Sequence, residues 1–397
     1  MKKISLVAVA WTAVLQVACV SQARAQSVSF APLASEPGSP ALMLRAIAGV
    51  ERDSNILRSS SPVSDELGVL AAGLRLDKRY SLQHVTLDAQ ATRVGFRDFS
   101  NLDYSTFTYH GAWDFQFTPK LQGVVSAVRR QYRDITNATL GGGSIRLRTE
   151  REEFAQASLV GRGGWRTLAG LAHTRSRSDD PRSLEASPSV TSVHVGGAYE
   201  FATGASLTAQ VRRGDGEYGP GLAGAQFHET EPSVRLHWPA TAKTTFDARF
   251  GHLDRSHDTA SVPDLKGFVG NSVLRWTYSP RTSLEAGLAR DLGSYEFIGG
   301  GQIRGWRSYI APAWRPSAVT QLRFRHAYES RQWRVQSTLS PDVGREDRVR
   351  WNELALEWTP QRLVQVTASA RHERRHSSLP GLGFRGNVVG IAARLNF

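Results

Sequence analysis

The chain has 397 residues, of which 40% are hydrophobic and 21% charged, and its mean hydropathy is −0.33. This composition is too polar for a bundle of membrane helices and, with 10 Trp, 10 Tyr and 16 Phe, too aromatic for a disordered or fibrous protein. The single Cys excludes a disulfide scaffold, and only six of the 49 basic residues behind the net charge of +13 are Lys, whereas a nucleic-acid binder more usually mixes Lys and Arg.

The N-terminus has the pattern of a secretory signal peptide at residues 1–25. Lys2 and Lys3 form a basic start, an apolar stretch follows, and Ala23-Arg24-Ala25 forms the small-x-small cleavage site. We therefore predict cleavage after this motif and a short periplasmic segment at residues 26–40. No later segment has the roughly 20 consecutive apolar residues that a spanning helix needs. Any membrane crossing after export must therefore be by strands.

From residue 42 to the C-terminus, strand-length stretches alternate apolar and polar residues. The pattern is clear at residues 85–91, 107–117, 193–201, 268–278 and 354–358. Such alternation puts apolar side chains on one face of a strand and polar side chains on the other. A soluble β-sandwich produces the same pattern, so the alternation by itself leaves both architectures open.

The connections between these stretches are of two kinds. Short turns recur along the chain, several of them after an aromatic residue, and are marked by Arg79, Pro119, Gly163, Gly204, Pro239, Pro280, Pro316 and Pro360. Longer polar connections fall between them, at residues 53–65, 97–103, 134–143, 176–188, 214–224, 254–267, 291–301, 330–345 and 374–383. Short turns at one end and longer loops at the other are typical of an outer-membrane β-barrel. The spacing predicts 18 strands, with 16 as the alternative.

The last strand supports this interpretation. Val389, Ile391, Leu395 and Phe397 lie on one apolar face, and the chain ends on the aromatic residue. Bacterial outer-membrane barrels commonly end this way, because their assembly machinery recognises a terminal strand with a C-terminal Phe. We therefore predict an all-β fold, a transmembrane antiparallel outer-membrane β-barrel at residues 41–397, with Phe397 as its assembly signal.

Two motifs have the spacing of a chemical site without its structural context. His372-Glu373-Arg374-Arg375-His376 matches the H-E-x-x-H pattern of a zinc helix, but it follows an alternating strand and has no evident third ligand. Gly214-Asp215-Gly216-Glu217-Tyr218-Gly219 matches G-x-G-x-x-G, but Pro220-Gly221 follows it, so no helix N-terminus can receive a pyrophosphate. We predict a glycine-rich loop tip there, and no metal, cofactor or enzyme active site in the chain.

The candidate functional residues are the Arg whose positions in the apolar–polar alternation place them on the polar face of a strand. A lipid-facing Arg near the membrane midplane costs about 2–4 kcal/mol, so these Arg should face the lumen. The candidates for the substrate pathway are Arg235, Arg249, Arg275, Arg307, Arg323, Arg325, Arg371 and Arg394. Earlier strands add Arg45, Arg75, Arg146, Arg148 and Arg212. The acidic residues of the same parity are Asp77, Asp88, Asp114, Glu150, Glu152, Glu200, Asp247, Glu285, Glu353 and Glu357.

Two hypotheses for these Arg remain open. In the first, Arg and carboxylate groups form a network that braces adjacent strands. In the second, surplus guanidinium groups attract and guide an anionic solute, as rings of Arg do in anion-selective pores. Both can hold, because a network with surplus Arg still has a positive lumen.

Several segments carry a family resemblance, at residues 49–58, 76–80, 97–104, 238–243, 247–249 and 257–258. Nearly from end to end, the sequence resembles the EpsL-like outer-membrane barrels encoded with bacterial exopolysaccharide operons, and these segments carry the resemblance. The resemblance implies export of a secreted polysaccharide across the outer membrane, in systems often associated with exosortase sorting. It implies no catalytic residues.

We therefore predict a channel in the outer membrane of a Gram-negative bacterium that passively conducts an exopolysaccharide through an Arg-rich lumen. The expected partners are outer-membrane lipid and lipopolysaccharide, the barrel assembly machinery, the exopolysaccharide chain, and periplasmic or inner-membrane export components, and no nucleic acid. The alternatives are a general porin for small hydrophilic solutes, an outer-membrane hydrolase or adhesin, and a scaffold whose loops plug the lumen.

Overall fold

The computed structural model describes residues 41–134, 146–180, 187–219, 225–259, 262–294, 301–335 and 338–397. The strands in these ranges are β1 (Leu42–Asp53), β2 (Asp65–Tyr80), β3 (Gln83–Phe96), β4 (Tyr104–Gln116), β5 (Leu121–Arg133), β6 (Leu147–Val160), β7 (Trp165–Ser178), β8 (Pro188–Glu200), β9 (Ser206–Tyr218), β10 (Gln226–Thr241), β11 (Thr244–His257), β12 (Leu265–Ser279), β13 (Thr282–Ser294), β14 (Gly301–Ser317), β15 (Thr320–Val335), β16 (Glu346–Gln361), β17 (Val364–Ser377) and β18 (Phe384–Asn396). A single 3-10 turn in the same ranges spans Ser100–Leu102. The same ranges contain no helix that is long and apolar enough to span a membrane. The predicted signal peptide and the segment 26–40 lie outside the described residues.

Every strand pairs antiparallel with its neighbours, and the sheet closes on itself because β1 pairs with β18 as well as with β2. Closure leaves no sheet edge whose unpaired N–H and C=O groups would face lipid. The prediction of an 18-stranded antiparallel outer-membrane barrel is confirmed, and the alternative of 16 strands is wrong.

The two ends of the barrel differ in the length of their connections. At one end, called the turn end below, β2 and β3 are joined by residues 81–82, and β10 and β11 by residues 242–243. At the other, the loop end, β1 and β2 are joined by residues 54–64 and β15 and β16 by residues 336–345. In outer-membrane barrels the short turns face the periplasm and the longer loops face outward.

Several predicted loops begin inside strands. β9 continues to Tyr218 and includes Gly214 and Gly216, so most of the predicted glycine-rich loop tip is strand. β11 likewise continues to His257 and β15 to Val335. Both faces of these strand ends carry polar residues, so the sequence alternation is lost there although the backbone ladder continues.

Half of the predicted turn markers lie within strands. Pro119, Gly163, Gly204 and Pro280 are in turns, whereas Arg79, Pro239, Pro316 and Pro360 are in β2, β10, β14 and β16. The last three coincide with register shifts at Trp238/Thr241, Trp314/Ser317 and Trp358/Gln361, and a fourth shift lies at Trp276/Ser279. Pro has no N–H to donate to the ladder and is tolerated in strands at such bulges. The Trp-Pro and Trp-x-Pro motifs therefore mark bulges that precede the turns.

The outer face of the barrel is apolar and the inner face polar. On β18, Leu395 is 42% exposed, whereas its neighbour Arg394 is 4% exposed. A water-soluble barrel would bury the Leu and expose the Arg. Four Trp near the turn end are also exposed on the outer face, namely Trp238, Trp276, Trp314 and Trp358. They form one of the aromatic girdles that flank the apolar band of such barrels.

Within the described ranges, the clusters of buried apolar side chains lie inside the barrel, close to the loop end. The largest cluster contains Ile56, Leu67, Val69, Val94, Phe96 and Leu102. Smaller clusters surround Phe227 and Trp333. Ile56 belongs to the connection between β1 and β2, so this connection folds into the barrel. Residues 54–64 are called the inward-folded loop below.

Candidate solute pathway in the lumen

Polar and aromatic side chains on seven consecutive strands form a continuous line along the lumenal wall, called the lumenal network below. Its members are His237 on β10, Asp247 on β11, Arg275 on β12, Glu285 on β13, Tyr309 on β14, Arg325 on β15 and Trp351 on β16. Arg275 connects two acids, because its Nη1 donates to Asp247 at 2.9 Å and its Nε donates to Glu285 at 3.1 Å. His237 Nδ1 lies 2.7 Å from the other oxygen of Asp247.

The second half of the network is aromatic. The Tyr309 hydroxyl donates to Glu285 at 2.7 Å, and the ring of Tyr309 lies against Gly287, where any Cβ would come within 2.3 Å of it. The guanidinium of Arg325 lies 4.3 Å from the centre of the Tyr309 ring and 5.4 Å from that of Trp351. Cation–π contacts of this kind leave the N–H groups of Arg325 available to a third partner.

A second group of charges lies nearer the loop end. Arg212 on β9 donates to both Glu229 and Glu231 of β10. From the other side, Arg255 donates to Glu229 at 2.7 Å and Arg249 donates to Glu231. The alternating charges brace three strands, as expected for charge-assisted pairs with little exposure.

The eight candidate Arg thus fall into different environments. Arg249 and Arg275 are paired as described, Arg307 pairs with Asp291, and Arg323 pairs with Glu357. Arg394 is buried on the lumenal face of β18, where the charges of Arg45 and Asp88 act on it. Arg45 and Asp88 form an ion pair with each other. For Arg249, Arg275, Arg307 and Arg323 the bracing hypothesis has direct geometric support.

Three candidates carry surplus charge. Within the described ranges, Arg235, Arg325 and Arg371 form no ion pair with Asp or Glu, although Glu353 lies between Arg325 and Arg371 in the strand register. Arg235 is exposed to the lumen next to Arg249. The lumenal wall from β10 to β17 therefore combines bracing pairs with guanidinium groups that are free to meet a solute. A role for any of these Arg in a substrate pathway stays a prediction.

The inward-folded loop is held by a buried ion cluster. Arg58 is 3% exposed, and its Nη1 donates to Asp53 of β1 at 2.7 Å while its Nε donates to Glu373 of β17 at 3.3 Å. Burial by itself lowers the pKa of Arg58, but the negative charges of Glu373 and Asp53 raise it above its ordinary value. The guanidinium therefore stays charged and links the loop to two strands.

Other contacts fix the loop against a broad part of the wall. The Asn55 side chain donates to the backbone carbonyl of Arg385 on β18 at 2.9 Å, and Arg133 of β5 donates to the carbonyl of Ile56. Ile56 packs on the lumenal faces of β2 and β3, and Tyr104 of β4 packs against the same cluster. The loop thus contacts seven consecutive strands, from β17 through β18 and β1 to β5. Sequence reasoning missed these functional candidates, since only the Asp53 to Asp65 connection was predicted and its polar residues suggested an outward loop.

Of the two motifs set aside above, the His motif lies wholly in β17 and the glycine motif lies in β9 up to Tyr218. In β17, His372 and His376 are exposed on the outer face, while Glu373 is buried on the lumenal face with Arg58. His372 Nδ1 lies 2.7 Å from the side-chain oxygen of Asn387. Within the described residues, no group of three or more His, Cys, Asp or Glu is arranged to hold a metal ion.

Comparison with known families gives a match in the second half of the chain. Residues 234–397 match the model of a family described as "Putative beta-barrel porin 2". This match contains the whole lumenal network. A search of curated proteins gave no match. The chain is a porin-like outer-membrane barrel, and porins are channels and not enzymes.

Solved structures with a similar fold are outer-membrane porins. OccK2 (OpdF) of Pseudomonas aeruginosa, solved in complex with glucuronate, has 12% identity and a TM-score of 0.50, with 90% of this chain and 98% of that chain covered. OccK1 (OpdK) of the same organism has 12% identity and a TM-score of 0.48, with 90% and 98% covered. OccAB3 of Acinetobacter baumannii has 10% identity and a TM-score of 0.48, with 90% and 99% covered. At these identities the likeness concerns the fold alone.

Proposed function

We propose that the barrel is a porin for small hydrophilic solutes and that it favours anions. The observation that carries this proposal is the lumenal network, which lies within the segment that matches a porin family. Its acids are shared between neighbours, while Arg235, Arg325 and Arg371 add positive charge without a carboxylate partner in the described ranges. An aqueous lumen lined in this way lowers the free energy of a small anion without binding it too tightly to release.

The inward-folded loop argues for small solutes. It covers the wall from β17 to β5 and is anchored by a buried ion cluster, so it narrows the lumen at the loop end. A flexible polymer would have to pass beside this fixed loop, whereas a monosaccharide or carboxylic acid needs less room. Barrels of about 16 to 18 strands otherwise leave an aqueous channel.

Export of an exopolysaccharide is the second candidate. It rests on the resemblance to EpsL-like barrels, and one of the segments that carry it, residues 49–58, contains the loop anchors Asp53, Asn55 and Arg58. In this hypothesis the same Arg would exchange hydrogen bonds with sugar hydroxyl and uronate groups along a polymer. The loop would then have to move when the chain passes.

The experiment that tests the proposal is recording from refolded barrels in planar bilayers, combined with uptake into liposomes. We expect open channels with an anion-selective reversal potential in a KCl gradient, and faster uptake of glucuronate than of neutral glucose of similar size. Glucuronate is chosen as a probe because it is small, anionic and the ligand in the OccK2 complex. Cation selectivity, or equal uptake of the two sugars, would contradict the proposal.

The two candidates differ in their response to long acidic oligosaccharides. The porin hypothesis expects brief, weak interruptions of the current, and normal polysaccharide secretion in a deletion strain. The export hypothesis expects long block events and loss of secretion after deletion. Either result assigns the solute class without reference to the fold.

A further inference from the structure

The outer face of the barrel near the loop end carries two rows of Arg in register. In the first row, Arg129 of β5 lies opposite Arg151 of β6, and Arg151 lies opposite Arg175 of β7. In the second, Arg350 of β16 lies opposite Arg374 of β17, which lies opposite Arg385 of β18. These are called the first and second arginine rows below.

Neither row contains an acidic residue. In the described ranges none of the six Arg forms an ion pair with Asp or Glu, in contrast to the bracing pairs of the lumen. Like charges directly opposite each other on neighbouring strands are destabilising. Two separate rows with the same arrangement therefore point to an external anion that neutralises them.

The flanking residues are alike in both rows. Arg129 lies opposite Tyr109 of β4, and Arg350 lies opposite Tyr328 of β15. The guanidinium of Arg129 also lies 5.6 Å from the ring of Phe107, and that of Arg350 lies 5.7 Å from the ring of Tyr328. Aromatic residues mark the interface between the apolar band and the polar region in membrane barrels. Each row therefore begins at the membrane boundary.

The depth of the second row can be derived from the strand register. Towards the turn end, the outer face of β16 and β18 is apolar at Leu354, Leu356, Val389 and Ile391. The next outward-facing residues towards the loop end are polar, and His372 of β17 lies between Asn352 of β16 and Asn387 of β18. The second arginine row comes directly after them. Arg350 is four residues beyond Leu354, which is about 13 Å along the strand and about 10 Å along the membrane normal for a tilt of about 40°. The row thus lies at the headgroup level of the outer leaflet.

We propose that the two arginine rows are binding surfaces for the phosphate groups of lipopolysaccharide in the outer leaflet. Guanidinium groups recognise phosphate oxygens in pairs, and a row of three can hold two phosphates of one lipid headgroup. Bound lipid phosphate removes the repulsion between neighbouring Arg and anchors the barrel at a fixed depth. The proposal does not depend on which solute passes through the lumen.

The test is binding of purified phosphorylated lipopolysaccharide to the refolded barrel in detergent, measured by native mass spectrometry and titration. The triple variant Arg350→Gln, Arg374→Gln and Arg385→Gln should weaken binding about a hundredfold, since each basic residue near an anionic surface contributes about a fivefold effect. The second row is chosen because Glu153 adds a carboxylate to the outer face close to the first row.

A matched control removes the same charge from other outer positions. Arg213, Arg304 and Arg334 lie opposite neutral residues in the register, so their triple replacement by Gln should weaken binding less than tenfold. With dephosphorylated lipopolysaccharide, the two triple variants and the wild type should bind alike. Folding of each variant is checked by its heat-modifiable electrophoretic mobility, and Arg374→Gln alone, with an expected loss of about fivefold, serves if the triple variant does not fold.

Three outcomes would overturn the proposal. The first is an equal loss of binding in the row variant and the control variant. The second is a row variant that still binds as the wild type does. The third is competition by millimolar inorganic phosphate that abolishes the difference, because the rows would then be sites for a free anion instead of a lipid.

Discussion

The barrel has two unlike walls. From β10 to β16 the lumenal network exposes paired and surplus charges to the channel, whereas from β17 to β5 the inward-folded loop covers the wall with an apolar cluster around Ile56. On the first wall the charges lie between neighbouring strands and remain partly exposed. On the second, the Arg58 cluster is buried and holds a loop. In the proposed porin, charge would set the solute preference on the first wall, while on the second wall it holds the loop that covers part of the lumen.

The two halves of the chain also differ in the hairpins at the turn end. All four register shifts in the described strand pairs lie between β10 and β17, each beginning at an outward Trp. Two of the four short turns in the first half, those that follow β6 and β8, instead contain glycines with positive φ, namely Gly163, Gly164 and Gly204. The half with the bulges coincides with the segment that matches the porin family. The Trp-bulge hairpin is thus a repeated unit of the network wall.

The largest effect is expected where the loop is anchored. Arg58→Met leaves Asp53 and Glu373 buried without their cation, which should cost about 3–5 kcal/mol of unfolding free energy. The freed loop should also raise the single-channel conductance. Unfolding in urea, followed by Trp fluorescence in lipid vesicles, measures the first effect, and bilayer recording the second.

The control for this prediction is the variant that neutralises all three groups, with Arg58→Met, Asp53→Asn and Glu373→Gln. It contains no unpaired buried charge, so it should recover a large part of the lost stability while the conductance stays raised. If Arg58→Met alone leaves the conductance unchanged, the loop does not limit the channel.

A smaller effect is expected at the aromatic link of the network. Gly287→Ala places a Cβ within 2.3 Å of the Tyr309 ring, so the ring must move away from Glu285 and Arg325. Such overpacking typically costs about 1–3 kcal/mol. Gly305→Ala, where the nearest atoms are 4.0 Å from the added Cβ, is the matched control and should leave stability unchanged. Equal losses in both variants would indicate that the strands simply require Gly.

The fold could be predicted from the sequence because the bilayer imposes a period of two on every strand. The alternation, the short turns and the apolar face of β18 predicted the architecture and its 18 strands. The errors occur where this constraint ends. Beyond the membrane both faces are polar, so β9, β11 and β15 run further than predicted, and Pro360 interrupts the ladder without ending β16.

The candidate pathway could be predicted only in part. Parity placed the candidate Arg on the lumenal face of their strands, but it could not tell Arg275, which bridges two acids, from Arg235, which has no carboxylate partner in the described ranges. That distinction depends on diagonal contacts between strands. The Arg58 anchor was missed for the same reason, since Glu373 is 315 residues away in the chain.

The smallest effect is expected from removing an Arg of the network wall that braces no strands. Arg235→Gln removes a lumenal guanidinium without breaking an ion pair, so stability should be unchanged while the preference for anions falls. Two unit charges about 8 Å apart in water interact by about 0.5 kcal/mol, which corresponds to roughly a twofold change in the anion-to-cation permeability ratio.

Arg213→Gln, on the outer face of the neighbouring strand β9, removes the same charge outside the lumen and is the control. Reversal potentials at low ionic strength measure the ratio, and the difference should disappear at 1 M salt, where screening shortens to about 3 Å. If both variants change the ratio equally, net charge and not the lumenal position determines selectivity.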